Sequence, residues 1–292
     1  KAAVLRSGMK LPHGKDSIPE KMHISLRGKR MLTKSEMMVY EMLAHHNWTR
    51  PLYMSTTLGG DNQAGLDNYL MLEGLAARIT PFNVGSGGTD SERMYDNFMR
   101  KFRYGNVADP KVYVDQTVMR PCYTHRLRMA QLAQQLLMEG KRDKALKVLQ
   151  KCEQVLPQSQ VPYEVWSLGI DTKKHLLMMP ECYRELGKTK EAEAILKSVA
   201  DRALAYFDWY NSFSENRLSS MSGDIMQQYE ILGMALDGLQ ACKSSLIENY
   251  KKRADVLAGT PAGRVLISAM NARRAADAQR YLPEDAEEGA EY

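Results

Sequence analysis

The sequence predicts a mainly α-helical fold with a small N-terminal α/β subdomain of order β-α-β-α-β. Three observations carry this prediction. First, residues 129–157 read MAQLAQQLLMEGKRDKALKVLQKCEQVLP. An apolar-stripe helix runs into Gly140, a short polar turn follows, and a second apolar-stripe helix ends at Pro157, the pattern of a tetratricopeptide (TPR) hairpin. Second, a similar sentence begins at Gly187. Ala follows each glycine after five residues (Ala145, Ala192) and Leu after nine (Leu149, Leu196). Small Ala lets paired helices approach, and Leu fills the seam. Third, before residue 84 short apolar runs alternate with Pro and Gly, the texture of strands and turns.

Residues 1–20 contain Gly8, Pro12, Gly14 and Pro19 and read as a linker. Met22–Arg27 alternates apolar and polar residues, the period of a half-buried strand. Thr33-x-x-Glu36 is a capping box that opens a helix through Leu43. Pro51–Thr56 reads as a second strand with Pro at its first position. Leu66–Glu73 reads as a short helix closed by Gly74, and Ala76–Thr80 as a third strand. This places an α/β subdomain at 21–84 and a connecting loop and helix at 85–118. A TPR-like helical domain follows at 119–258, then a C-terminal helix and acidic tail at 259–292. Gly140 and Gly187 stand 47 positions apart, more than the roughly 34 of a tandem TPR array. The second unit is therefore degenerate, with an insertion at Gln158–Met179 that includes Gly169, and its first helix starts near Pro180. Asp224–Leu257 reads as one long capping helix, in which Gly233 and Gly238 each weaken the helix by up to about 1 kcal/mol.

Composition narrows the function classes. The 292 residues carry a net charge of +5 with no dense Lys/Arg run, which argues against nucleic acid. No apolar run approaches the roughly 20 residues of a bilayer span. The chain starts at Lys1 in mid-pattern, as a fragment of a longer protein would. Cys122, Cys152, Cys182 and Cys242 show no metal-ligand spacing and read as buried thiols, although an even count also permits disulfides. His45 and His46 end a helix about 100° apart, which suits a helix-end role better than a metal pair. His125 and His175 are isolated. Gly85-Ser86-Gly87-Gly88 lacks the Gly-Lys-Ser/Thr ending of a phosphate-binding loop. Gly59-Gly60-Asp61-Asn62 lacks the spacing of a calcium loop. No motif calls for a cofactor or a metal, and no catalytic residue is assigned. The candidate site is the concave face of the first TPR helix: Leu127, Ala130, Gln134, Leu137 and Met138.

Several segments together carry a resemblance. These are Lys15-Asp16-Ser17-Ile18-Pro19 with His23-Ile24-Ser25-Leu26, Trp48-Thr49-Arg50-Pro51-Leu52-Tyr53, Asn68 to Ala76 (NYLMLEGLA), Val114-Asp115, and Arg126 with Leu132-Ala133. Together they resemble the C-terminal soluble region of large polytopic bacterial membrane proteins, found mainly in Bacteroidetes and of unknown function. The membrane part of that family is similar to protein O-mannosyltransferases of the glycosyltransferase-C class. The resemblance implies a non-catalytic extramembrane region of a glycosyltransferase-like protein, periplasmic and tied to the membrane by N-terminal spans absent here. Its expected partner is a protein or peptide, or a glycan acceptor. Trp48, Arg50, Pro51, Tyr53, Tyr69 and Glu73 carry the resemblance without an assigned role. Two alternatives remain open: a free-standing TPR adaptor, and a small hydrolase or carbohydrate-binding module using Asp61, Asp67 and Glu73.

Overall fold

The computed structural model describes residues 1–12, 18–26, 29–59, 62–163 and 176–280. Lys15-Asp16-Ser17, Arg27, Gly28, Gly60, Asp61, Gly169, His175 and the acidic tail lie outside these residues. The chain divides into two units, residues 1–161 and 162–292. The first hairpin therefore belongs with the α/β elements and the second does not.

In the first unit, α1 (Ala2–Arg6) is followed by α2 (Lys34–Ala44). Both halves of the predicted capping box form at α2: Thr33 Oγ1 accepts from Glu36 N, and Glu36 Oε2 accepts from Thr33 N. His45 is the C-cap residue, and its Nδ1 lies 3.1 Å from Glu41 O, the expected helix-end role. The sheet has three antiparallel strands in the order β1 (Tyr53–Ser55), β3 (Ala76–Ile79), β2 (Leu70–Leu72). Two expectations are corrected here. Residues 22–26 form no strand; Met22 and Ile24 instead pack on the cluster of Met54, Leu66 and Ile79. The expected helix at 66–73 is a single tight turn (Asp67–Tyr69) followed by β2. Gly74 is needed after all, with φ +144°, but to turn β2 into β3 under the Phe102 ring rather than to cap a helix.

The described residues before Lys21 are built into this unit, since Val4, Met9 and Ile18 are buried with Phe82. Helix α3 (Ser91–Asp96) widens into a π-turn at Asn97–Lys101. Then come α4 (Gln116–Met138) and α5 (Arg142–Val155), which pair as the predicted hairpin. Gly140, at φ +73°, ends α4. Its N–H reaches Leu137 O and that of Lys141 reaches Leu136 O, the Schellman pattern that only a left-handed residue closes cheaply. Arg126, buried in α4, donates to Leu156 O and Val161 O at 2.7 and 2.5 Å and so ties down the far end of the hairpin.

The second unit is helical throughout its described residues: α6 (Met178–Glu185), α7 (Thr189–Tyr210), α8 (Glu215–Ser220), α9 (Ser222–Ala241), α10 (Ile247–Leu257) and α11 (Pro261–Arg280). Gly187 closes α6 with the same Schellman bonds as Gly140. The α6–α7 hairpin is thus as predicted, with α6 short. The long helix expected over 224–257 is two helices. The chain breaks at Lys243, which takes φ +53° in a third Schellman turn, with Ser244 N bonded to Leu239 O. Gly238 touches α7, since a Cβ there would lie 2.5 Å from Leu196 Cδ2, whereas Gly233 faces open space. The core centres on α7 and α9, with Phe207, Leu218, Ile225, Ala235 and Leu239 fully buried.

Candidate functional site

Two features of the first unit bring polar groups together, one on each face of the sheet. Because strand side chains alternate, Tyr53 and its cross-strand partner Arg78 share one face, while Met54, Ala77 and Leu72 share the other.

On the Tyr53–Arg78 face, Glu73 is the hub of a buried charge knot. Tyr53 Oη donates to Glu73 Oε2 at 2.6 Å, and Arg78 Nη1 and Arg93 Nε lie 3.7 and 3.5 Å from Oε1. Glu73 and Arg78 are 4% and 3% exposed. Arg78 also donates to Ser7 O and Arg93 to Gly8 O, while Asn97 Nδ2 donates to Glu73 O at 2.6 Å. Asp90 joins through the same Arg93 Nε, at 3.7 Å, and caps α3 by accepting from Arg93 N. Burial, then the bond to Glu73, pushes the Tyr53 phenol above its usual range. A hollow of about 600 Å³ opens beside the knot. Both oxygens of Glu73 are committed to donors within the chain. The knot's work is to fasten residues 7–8 and α3 to the sheet.

Four of the six resemblance residues are accounted for by this scaffold. Tyr53 and Glu73 meet in the knot. Trp48 packs against both small apolar clusters, and Tyr69 Oη holds His23 O at 2.7 Å. Arg50 and Pro51 are exposed.

On the opposite face lies a cleft of about 500 Å³. Its floor is Met54, Leu72 and Ala77 of the sheet, its rim is Ser86–Thr89, and its wall is α4. The rim is fixed because Gly88 O accepts from Leu72 N and Asp90 N donates to Leu72 O. This loop extends the sheet edge and does not stand as a free phosphate cradle. The wall presents Arg128, Gln131, Gln134, Gln135 and Met138. Arg128 donates to Gln131 Oε1 at 2.8 Å and to Thr56 O at 3.4 Å, and its buried Nε has no partner. Burial lowers the Arg128 pKa from its usual value.

Of the five predicted groove residues, Gln134 and Met138 line this cleft. Ala130 and Leu137 are instead buried, and half-buried Leu127 does not line it. The apolar stripe Met129, Ala130, Ala133 and Leu137 faces the core, so the accessible face of α4 is the polar one beside it. Arg128, Gln131 and Gln135 were missed for that reason; their i, i+3, i+7 spacing was the available signal. Asp67 lines the cleft, but Glu73 belongs to the opposite face. The two acids therefore share no site, and Asp61 lies outside the described residues. No cluster of His, Cys, Asp and Glu suited to a metal occurs among the described residues. All four cysteines are free; Cys122, Cys152 and Cys182 are buried, and burial raises the last two to about 11 and about 12.

At the C-cap of α4, Glu139 collects Lys141 Nζ at 2.6 Å, Ser91 Oγ at 2.7 Å and Gln135 Nε2 at 3.1 Å. Burial pushes its carboxyl up, but these hydrogen bonds and the Lys10 charge outweigh it and hold the group at about 2. A depressed carboxyl contributes stability above its ordinary value of 4.5 and loses it as pH falls toward 2. Glu139→Gln will therefore flatten the fall in stability over that window, read from urea midpoints at stepped pH. An unchanged slope would show that the cluster contributes nothing.

The family described as TMEM260-associated domain 2 matches residues 1–97, about a third of the chain. The matched part holds α1, α2, the whole sheet and the Glu73 knot, and it links the chain to a membrane-protein family. No curated protein and no solved structure matches the chain. No described helix is long and apolar enough to cross a membrane.

Proposed function

We propose that the chain is a non-catalytic, extramembrane region of a membrane glycosyltransferase-like protein, lying on the periplasmic side. In this reading it holds a polypeptide acceptor or partner segment in the cleft between the sheet and α4. The observation that carries the reading is the chemistry of that cleft. Amides at Gln131, Gln134 and Gln135 and hydroxyls at Ser55, Thr56 and Thr89 surround an apolar floor, with Arg128 and Asp67 as its charges. Amides both donate and accept, which suits a neutral main chain carrying small polar side chains. The family match over residues 1–97 supports the membrane connection.

The test is titration of Ser/Thr-bearing peptides from candidate acceptors against the wild-type chain and against Arg128→Ala and Gln134→Arg. Both residues are partly exposed, so the variants should fold. Each is expected to weaken binding about tenfold, or about 1.4 kcal/mol. A peptide that binds all three equally would remove the cleft from the argument. For the parent protein, a complete reading frame without hydrophobic spans would remove the membrane connection.

A further inference from the structure

Helix α2 is apolar on two sides. At about 100° per residue, Val39 and Leu43 fall on one arc, and Lys34, Met37, Met38, Glu41, Met42 and His45 fall on the opposite one. The first arc packs against the cluster of Met54, Leu66 and Ile79. The second is open: Met37, Met38 and Met42 are 58%, 66% and 52% exposed. Met31 and Leu32, just before the helix, are also exposed. Five large apolar side chains within twelve residues of sequence form a patch rather than scattered singles. An exposed apolar patch of this kind, rimmed by polar residues, marks an interaction surface.

The charges around the patch say what covers it. Glu36 is spent on Lys29 and on the Thr33 cap. Glu41, the one acid on the outward arc, is exposed, with His45 Nδ1 3.3 Å away, and is outnumbered by the exposed cations Arg30 and Lys34. Lys34 lies on the outward arc itself, and Arg30 directly precedes Met31 in the sequence. Apolar side chains that insert, flanked by cations that meet headgroups, are the two signals of a helix lying in a bilayer interface. We propose that α2 and the preceding Met31-Leu32 rest on a membrane surface containing anionic lipid, with Met37, Met38 and Met42 inserted. The inference stands on this helix and is independent of what the cleft binds.

The test is co-sedimentation of the whole chain with phosphatidylcholine vesicles, with and without phosphatidylglycerol. Binding is expected to need the anionic lipid and to weaken with added salt. The double variant Met38→Asp/Met42→Asp should lower partitioning more than tenfold while leaving the circular dichroism unchanged, because both side chains point outward. Lys34→Glu should lower it less, by about threefold to tenfold. Failure to bind anionic vesicles, or equal binding by the double variant, overturns the proposal. A dimer of the wild type that the double variant abolishes would also overturn it, by assigning the face to a second copy of the chain.

Discussion

Glu73→Ala will destabilise the first unit by about 3–5 kcal/mol, the range measured when one member of a buried charge group is removed. The cause is what remains behind. Arg78 and Arg93 are left as neighbouring guanidiniums with their shared counter-charge gone, and Arg78 is 3% exposed. Glu73→Gln keeps the shape but not the charge, and should lose nearly as much. Tyr53→Phe removes one hydrogen bond from a ring that is 45% exposed, so about 1 kcal/mol is expected. The ranking Glu73 well above Tyr53 is the useful outcome, because simple loss of packing would reverse it. Urea unfolding gives the magnitudes. Hydrogen exchange should place the loss in β3, α1 and α3, which the knot joins. A Glu73→Ala loss below about 1 kcal/mol would show that the knot supports nothing.

The knot also explains which sequence signals could be read and which could not. Tyr53 and Glu73 were both marked by the resemblance, twenty residues apart, but nothing local says that they touch. Their contact depends on β3 lying between β1 and β2, and that order follows from tertiary packing. Signals that act within one turn were legible. The Thr33–Glu36 capping box formed as read, and Gly140 and Gly187 closed their helices in the left-handed conformation that glycine allows. Where the deciding contact was distant, the reading failed. Residues 22–26 alternate like a strand but gained no strand partner, and Leu70–Leu72 looked helical in isolation but pairs with Ala77–Ile79. The break at Lys243 carried no glycine to announce it. A lysine there takes a conformation costing roughly 1 kcal/mol or more, and only the packing of α9 and α10 on α7 repays it.

The groove predicted on α4 overlaps the cleft in part. The helix was placed correctly, and Gln134 and Met138 do line an accessible face. The TPR register puts Leu127, Ala130, Gln134, Leu137 and Met138 on the concave side, a mostly apolar set. In a hairpin that is part of a larger unit, the apolar stripe is already used by the neighbouring helix, and what stays accessible is the polar flank with Arg128, Gln131 and Gln135. The resemblance residues likewise belong mostly to the framework. The resemblance residues Trp48, Tyr53, Tyr69 and Glu73 thus belong to the scaffold, while the wall of the cleft proposed to bind a partner is α4, outside the 1–97 match.

Gly263→Ala will destabilise the second unit by about 3 kcal/mol, at the upper end of overpacking costs, although helix propensity alone predicts a gain of about 1 kcal/mol. Gly263 lies in the first turn of α11, where its N–H donates to Thr260 Oγ1 at 3.1 Å. A Cβ at this position would overlap Leu257 O and sit 2.6 Å from Leu257 C. Both atoms belong to the main chain, so no side-chain rotation relieves the overlap, and the turn between α10 and α11 must open. Two other helical glycines serve as controls within the same unit. Gly233→Ala meets nothing within 4 Å and should stabilise by up to about 1 kcal/mol. Gly238→Ala meets the Leu196 side chain first, a group whose far end can shift as a backbone atom cannot, and should fall between the two. Thermal and urea unfolding of the three variants should therefore give opposite signs for Gly233 and Gly263. If all three shift stability in the same direction, the close approach of α11 to the end of α10 is wrong, and with it the packing of the last helix.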